Sequence, residues 1–269
     1  PWVADYRDPW KEIVYNQNQQ RTAWAEKRDG RLERMAINRA DGIVTISRDI
    51  QRLLEGKCER VKPVKVVFNG YDNKPEPLPR NECPIITYTG ALSETRVPTP
   101  LLPALAQLRE EGVRFRLKFI GNICPEFRRL VEEHGFGPDT EFIPYLPHSE
   151  SVQNINGSDV LLLVIDNVPN NKGILTGKLF EYIGARRPIL AIGNTEGEAR
   201  QIIDECQCGE MLDYADVEGV KRVLREWYAC WREGKVACSF ANSSAYSRKS
   251  LTGELARFLD EIMARREGK

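Results

Sequence analysis

Residues 174–193 carry the sequence ILTGKLFEYIGARRPILAIG, in which an amphipathic helix leads directly into an aliphatic strand. At 100° per residue, four apolar side chains share one side of the helix and Glu181 points to the other. Pro188 stops the helix, and two arginines suit the negative end of its dipole. The stretch therefore predicts a helix that covers a sheet, followed by the next strand of that sheet. The four apolar positions are Leu179, Phe180, Tyr182 and Ile183.

The same alternation of a short aliphatic run, a break and a helical stretch recurs between residues 82 and 240. Its strands are continuously aliphatic, which is typical of a parallel sheet with helices on both faces. We therefore expect an α/β, doubly wound, Rossmann-like domain over residues 82–240. Ligands of such domains bind at the carboxyl ends of the strands.

Residues 1–70 show the same alternation with too few units for a complete domain, which predicts the C-terminal part of a second Rossmann-like domain. The chain begins at Pro1 without an initiator methionine or a signal peptide, so we expect that most of this N-terminal domain is missing. Residues 71–81 are rich in proline and predict a linker or hinge. Residues 241–269 are expected to contain a C-terminal amphipathic helix.

Composition limits the classes of function. The chain has 269 residues, of which 41% are hydrophobic and 29% charged, as in folded globular proteins. Its 39 Lys and Arg residues balance 39 Asp and Glu residues, which leaves no overall field to attract nucleic acid or to hold the chain on an anionic membrane, so partners must be argued from local sites. Seven cysteines without a Cys-x-x-Cys pair favour reduced thiols and a cytoplasmic location. The longest aliphatic run, residues 160–165, is far shorter than the ~20 residues of a membrane-spanning helix.

The start of the helix in the opening stretch has the features of a phosphate site. Unpaired backbone N–H groups, the helix dipole and Lys178 come together at Thr176 and Gly177. The Glu181 carboxylate can accept hydrogen bonds from sugar hydroxyls, and its small neighbours on the helix face leave room for a ligand. A nucleoside diphosphate fits these groups. Those neighbours are Gly177, Gly184 and Ala185.

A purely structural interpretation of the same residues stays open. Thr176 then caps the helix with its side chain, and Lys178 with Glu181 forms a surface pair.

Several stretches together resemble the group 1 (family 4) glycosyltransferases, enzymes of the two-domain GT-B fold. The helix and strand of the opening stretch, YTGALSETRVPTPLLPALAQL (88–108), FIG (119–121) and YLPHSESVQNINGSDVLLLVI (145–165) resemble the donor domain. NRADGIVTIS (38–47) and VFNGYD (67–72) resemble the end of the acceptor domain and the hinge. The resemblance covers nearly the whole chain.

The resemblance implies retaining, metal-independent transfer of a sugar from a nucleotide-sugar donor to a hydroxyl of a saccharide or lipid-linked acceptor, in polysaccharide or glycolipid synthesis. It implies no cofactor, and the donor is of UDP, GDP or dTDP type. The absence of an Asp-x-Asp motif near the diphosphate elements agrees with this chemistry.

Carried over position by position, Glu181 matches the glutamate that holds the donor ribose. The first turn of its helix matches the family's backbone donors to the diphosphate. Arg96 stands at the position of a diphosphate-binding lysine, although a lone loop arginine is more often solvated, and Lys178 supplies a second cation. The remaining donor-site positions are Gly90, Gly121, Tyr145, Leu146, Thr176, Gly177 and Leu179.

Two positions depart from the family pattern, and a third lies on the acceptor side. Gly173 stands where the family has a glutamate that contacts the donor sugar, with Asn170, Asn171 and Lys172 as substitutes, and Ala91 stands where it has an arginine. Arg7 matches a polar, cleft-facing position of the acceptor domain, and the resemblance makes Arg96, Lys178 and Arg7 the candidate catalytic residues. A structural pair of Arg7 with Asp5 is an equal alternative.

Two other functions stay open. A GT-B nucleotide-sugar epimerase would use the same donor domain but needs acid and base groups that the sequence does not locate. Alternatively, the chain binds nucleotide without activity of its own.

The resemblance also implies a possible peripheral membrane contact, since many members of the family act on lipid-linked acceptors, and the segment around Trp24 is locally basic. Interleaved acidic residues favour a solvated helix face instead. The basic positions are Arg21, Lys27, Arg28, Arg31 and Arg34, and the acidic positions are Glu26, Asp29 and Glu33.

Overall fold

The computed structural model describes residues 1–12, 21–72, 75 and 80–267. The chain divides into two compact units, one formed by Pro1–Gly70 and the C-terminal stretch from Arg248 onward, the other by Tyr71–Ser247. The predicted linker at residues 71–81 lies partly outside the described residues. None of the described helices is long and apolar enough to cross a lipid bilayer.

The first unit contains a small parallel sheet with the strand order β1-β2-β3. Strands and helices alternate in it as the sequence predicts. Thr22 and Ser47 start the two helices, because the side-chain oxygen of each accepts a backbone N–H from the first turn. The elements are β1 (Val3–Tyr6), α1 (Ala23–Arg39), β2 (Gly42–Thr45), α2 (Arg48–Glu55) and β3 (Val64–Val66).

The C-terminal helix, Arg248–Glu267, packs within this first unit. Phe258 and Ile262 are buried against Val44 of β2. A Cβ on Gly42 would lie 2.7 Å from Cδ1 of Ile262, so the helix approaches the strand where the glycine has no side chain. Burial of its apolar face explains why the helix belongs to this unit.

The second unit is a six-stranded, fully parallel sheet with the order β6-β5-β4-β7-β8-β9 and helices between the strands. The predicted Rossmann-like fold is confirmed. The elements are β4 (Ile85–Thr89), α3 (Leu101–Glu110), β5 (Arg116–Ile120), α4 (Pro125–Glu133), β6 (Thr140–Ile143), α5 (His148–Asn156), β7 (Val160–Val164), α6 (Gly177–Ala185), β8 (Ile189–Ile192), α7 (Glu198–Cys206), β9 (Gly209–Leu212) and α8 (Val217–Arg232).

The strand order reverses between β4 and β7. The chain runs from β4 outward to β5 and β6, then returns to β7 on the other side of β4. In such sheets the two outward paths leave a crevice at the carboxyl ends of the central strands, which is the usual place for a ligand.

Helix α6 packs as the opening stretch predicts, since its four apolar side chains are fully buried. One expectation about its other face is wrong. Gly184 and Ala185 are buried inside the unit, whereas Gly177 lies open. The space near Glu181 is therefore confined to the N-terminal end of the helix.

Two glycines bring the backbone together at the ends of β4 and β5. Gly90 has φ +102° and its N–H donates to the carbonyl of Ile120 at 2.7 Å. Gly121 has φ +119°, and a Cβ there would lie 2.6 Å from the carbonyl oxygen of Gly90. Both positions need glycine, because a side chain would be strained by φ and would have no space at Gly121.

We expect Gly121→Ala to lower the free energy of unfolding by about 3 kcal/mol or more, because positive φ and the clash with Gly90 add. Gly112→Ala is the matched control, since Gly112 has φ +80° but nothing lies within 4 Å of its Cβ position. The control should lose about 1 kcal/mol. Urea unfolding followed by circular dichroism measures both, and equal losses would contradict the close approach at Gly121.

Candidate functional site

The crevice between β4 and β7 gathers residues from three elements of the second unit. Tyr88 and Gly90 lie at the end of β4, Asp166 follows β7, and Lys178 lies in the first turn of α6. Arg96 lies in a short 3-10 turn after β4.

Lys178 packs along the end of β4. Its Nζ donates to the hydroxyl of Tyr88 at 3.0 Å and lies 4.4 Å from the centroid of that ring. A Cβ on Gly90 would lie 2.6 Å from Cε of Lys178, so the lysine stem occupies the space that a side chain at residue 90 would need. Two residues predicted for the donor site, Gly90 and Lys178, are thus in contact, and Lys178 is not simply a surface partner of Glu181.

Arg96 is held by an ion pair rather than solvated. Its Nε and Nη2 lie 2.8 and 2.7 Å from Oδ2 of Asp166, and the hydroxyl of Thr95 donates to Oδ1 at 2.7 Å. Its side chain is only 22% exposed. Asp166 therefore fixes the predicted cation at the end of β7.

The two cations influence each other. Burial, together with the nearby Arg96 charge, lowers the pKa of Lys178 to about 8, while Glu181 and Asp166 act in the opposite direction. Burial raises the pKa of Tyr88, so its phenol stays protonated and donates to the carbonyl of Ala91 at 2.6 Å. An anion bound here would relieve the repulsion between Lys178 and Arg96.

The N-terminal end of α6 is open to a ligand. Thr176 is the N-cap residue, but its side chain makes no capping bond and its buried Oγ1 has no hydrogen-bond partner among the described residues. The structural interpretation of Thr176 as a side-chain cap is therefore wrong. A Cβ on Gly177 would meet nothing within 4 Å. The first N–H groups of a helix have no partner within it, so this end can receive an anion.

Leu179 departs from its predicted role as a backbone donor. Its side chain is fully buried and its N–H donates to the carbonyl of Thr176 at 3.2 Å. The tight first turn directs this N–H into the helix, which leaves Gly177 and Lys178 as the donors nearest the open end.

Asn171 is turned inward, so it is no substitute for the missing glutamate at Gly173. Its Nδ2 donates to the carbonyl of Asp166 and to the hydroxyl of Tyr214, both at 2.9 Å. Its Oδ1 accepts from Asn194 at 2.9 Å. These bonds hold the segment after β7 in place, and burial with Asp166 nearby raises the pKa of Tyr214 to about 12.

Sequence analysis missed Tyr88, Asp166 and Tyr214 as parts of the site. Tyr182 also was not predicted as part of the site. Its hydroxyl accepts a hydrogen bond from the backbone N–H of Thr89 at 3.2 Å, which connects α6 to β4. The one local signal was a polar residue directly after an aliphatic strand, as at Asp166.

Other predicted residues lie elsewhere. Tyr145, 85% exposed, and half-buried Leu146 follow β6, which β5 separates from β4. Arg7 belongs to the first unit, where Nε pairs with Asp5 at 3.0 Å and Nη1 donates to Asn69 at 3.1 Å. The structural pair with Asp5 is confirmed, and the role of Arg7 in catalysis stays a prediction. Throughout the described residues, no three His, Cys, Asp or Glu side chains are placed to hold a metal ion.

The fold is similar to that of solved GT-B glycosyltransferases. Sucrose-phosphate synthase from Thermosynechococcus elongatus has a TM-score of 0.69 and 15% identity, over 98% of this chain and 68% of that protein. Anabaena HepE, solved with UDP, has a TM-score of 0.72 and 16% identity over 97% and 72%. The lipopolysaccharide outer core galactosyltransferase WaaB has a TM-score of 0.61 and 17% identity over 84% and 62%. The chain thus has the parallel-sheet, Rossmann-like architecture of these proteins and spans 62% to 72% of the lengths of HepE and WaaB.

No protein-family model matches the sequence, and no curated protein matches it significantly.

We expect the Lys178 ammonium to titrate near pH 8 rather than at the ordinary lysine value of 10.5. Arg96→Gln should raise this pKa by removing a like charge, and Asp166→Asn should lower it by removing an opposite one. NMR of isotopically labelled lysine side chains measures the midpoint, with Lys178 identified by the signal lost in Lys178→Arg. An unshifted midpoint, or shifts of the opposite sign, would contradict the described electrostatics.

Proposed function

We propose that the protein is a glycosyltransferase whose second unit binds a nucleotide-sugar donor in the crevice between β4 and β7. The observation that carries the proposal is the pair of crowded cations, Lys178 and Arg96, beside the open N-terminal end of α6. Such a group of charges and N–H donors suits a diphosphate. HepE, of the same fold, was solved with UDP and with UDP-glucose, which makes a UDP-sugar the first donor to test.

Each part of the donor has a candidate partner in this unit. Lys178, Arg96 and the backbone at Gly177 receive the diphosphate, and the glycines at 90 and 121 allow it to approach the backbone closely. Glu181 accepts the ribose hydroxyls from its position one turn into α6. Tyr145 and Leu146 serve the base.

The proposed role of Lys178 in the chemical step is to stabilise the negative charge of the leaving group. When the glycosidic bond to the diphosphate breaks, negative charge develops on the leaving oxygen. The ammonium of Lys178 is partly desolvated and fixed by Tyr88, so it stabilises that charge without first reorganising. Because the charge grows in the transition state, this interaction accelerates the reaction as well as binding the donor.

The remaining features are inferred from the family resemblance. They are membership of group 1 (family 4), retention at the anomeric carbon, a hydroxyl acceptor on a saccharide or lipid-linked molecule, a role for Arg7 on the acceptor side, and polysaccharide or glycolipid synthesis. A cytoplasmic location is proposed from the cysteine content. Transfer is proposed for the whole protein and donor binding for this chain.

Calorimetric titration of the chain with UDP, GDP, ADP and dTDP tests the donor site. We expect micromolar binding of UDP, weakened at least about tenfold by Glu181→Ala and by Arg96→Ala, since each removes a charge-assisted hydrogen bond. Glu133→Ala is the matched control, because Glu133 is an exposed glutamate of α4 that pairs with Arg129. It should leave the affinity unchanged.

No binding of any of the four nucleotides, or equal losses in the control, would overturn the proposed donor site. Product analysis of a UDP-sugar incubated without acceptor separates the alternatives, because an epimerase changes the sugar under these conditions and a transferase does not transfer it.

The affinity for UDP should depend on pH through Lys178. Above about pH 8 the ammonium loses its proton, so the dissociation constant should rise by up to about tenfold per pH unit. Lys178→Arg keeps a positive charge throughout this range and should give a flat profile. Calorimetry between about pH 7 and 9 measures both proteins. An equal pH dependence in the two would show that another group titrates.

A further inference from the structure

Helix α1 of the first unit exposes a continuous basic face. Trp24, Arg28, Arg31 and Met35 follow one another at intervals of four, three and four residues, so they form one stripe along the helix. Trp24 is 70% and Met35 43% exposed. With the two exposed cations beside the stripe, the basic face consists of Trp24, Lys27, Arg28, Arg31, Arg34 and Met35.

The acidic residues that argued against such a face lie on the other side of the helix. Glu33 is buried, and its Oε1 lies 2.8 Å from Nζ of Lys57. Asp29 is half-buried and paired with Arg21. Within Ala23–Arg39, Glu26 is the acidic residue left exposed, and it lies away from the stripe. The interleaving of charges in the sequence therefore becomes a separation of charges in space.

The apolar residues at the two ends of the stripe indicate what kind of partner it binds. Trp24 and Met35 are eleven residues apart, which is roughly 16 Å along a helix. The guanidinium of Arg28 lies 5.4 Å from the centroid of the Trp24 ring, so cation and indole are presented together. An indole between basic side chains suits the headgroup region of a bilayer, where its apolar body and polar N–H are both accommodated.

We propose that the basic face of α1 binds the surface of an anionic lipid bilayer, with the helix lying in the plane of the headgroups. Charge complementarity supplies the attraction, and Trp24 and Met35 enter the headgroup boundary. A nucleic acid offers these two apolar side chains no place along its phosphates, whereas the headgroup boundary of a bilayer accommodates them. The proposal does not depend on the proposed enzyme activity.

The expected strength of membrane binding follows from the number of basic residues on this face. Each basic residue near an anionic surface raises binding by roughly fivefold, and the effect decays within a Debye length of about 10 Å at 0.1 M salt. Four cations and two apolar side chains therefore give reversible binding that salt weakens.

Cosedimentation of the full chain with vesicles is the test. We expect binding to phosphatidylcholine vesicles that contain about one third phosphatidylglycerol, little binding to phosphatidylcholine alone, and loss of binding at about 1 M salt. Equal binding to both vesicles, or none to either, overturns the proposal. Tighter binding to a duplex oligonucleotide than to the anionic vesicles also overturns it.

Two double variants with the same change in net charge show whether the basic face of α1 is the surface that binds the vesicles. Arg28→Glu with Arg31→Glu should weaken vesicle binding at least thirtyfold, and Trp24→Ala should weaken it severalfold. The control is Arg52→Glu with Arg129→Glu, which makes the same change in net charge at side chains that are 73% and 62% exposed on α2 and α4. The control should keep most of the binding, and an equal loss would show that net charge alone is responsible.

A second double variant tests the proposal in case the first one does not fold. Lys27→Gln with Arg34→Gln leaves the contact between Arg28 and Trp24 intact and should weaken binding by at least tenfold. Circular dichroism checks that each variant is folded, and a folded variant with undiminished binding overturns the proposal.

Discussion

The packing of Lys178 against the backbone of Gly90 is the contact on which the candidate donor site depends. It requires α6 to begin at Gly177, so that residue 178 reaches the end of β4. It also requires a glycine with positive φ at residue 90 and a second glycine at residue 121, because the backbone of one rests on the other. One helix and the ends of two strands are thus positioned so that the Lys178 side chain packs against backbone without a side chain.

This arrangement places charge where it is costly for stability. Burial of Lys178 near Arg96 disfavours its charged form, and the pKa falls accordingly. Asp166 offsets part of the cost by pairing with Arg96, and Asn171 and Tyr214 hold the backbone of Asp166 in turn. The crevice is therefore most favourable when a further anion is present, which is a common property of sites that bind phosphate groups.

The first unit distributes its charges differently. On α1, Asp29 is paired with Arg21 and the buried Glu33 with Lys57, while Glu26 is exposed on the side of the helix away from Trp24 and the basic face. Desolvation of Tyr6 by burial, together with the nearby Glu33 charge, raises the pKa of Tyr6 to about 12. Internal pairing of the acids leaves the outer surface of the helix positively charged, although the protein as a whole is neutral.

The sequence by itself determined the repeating strands and helices, the parallel sheet of the second unit, the buried side of α6 and the location of Lys178 in its first turn. These features depend on the spacing of apolar residues and on helix ends, which are local. Tertiary structure alone decided that Asp166 pairs with Arg96, that Asn171 turns inward and that the C-terminal helix packs on β2. It also decided that Asp29 and Glu33 of α1 pair with Arg21 and Lys57. The physical reason is that spacing along the chain specifies which face a residue occupies, whereas the partner on that face is set by which strands and helices become neighbours.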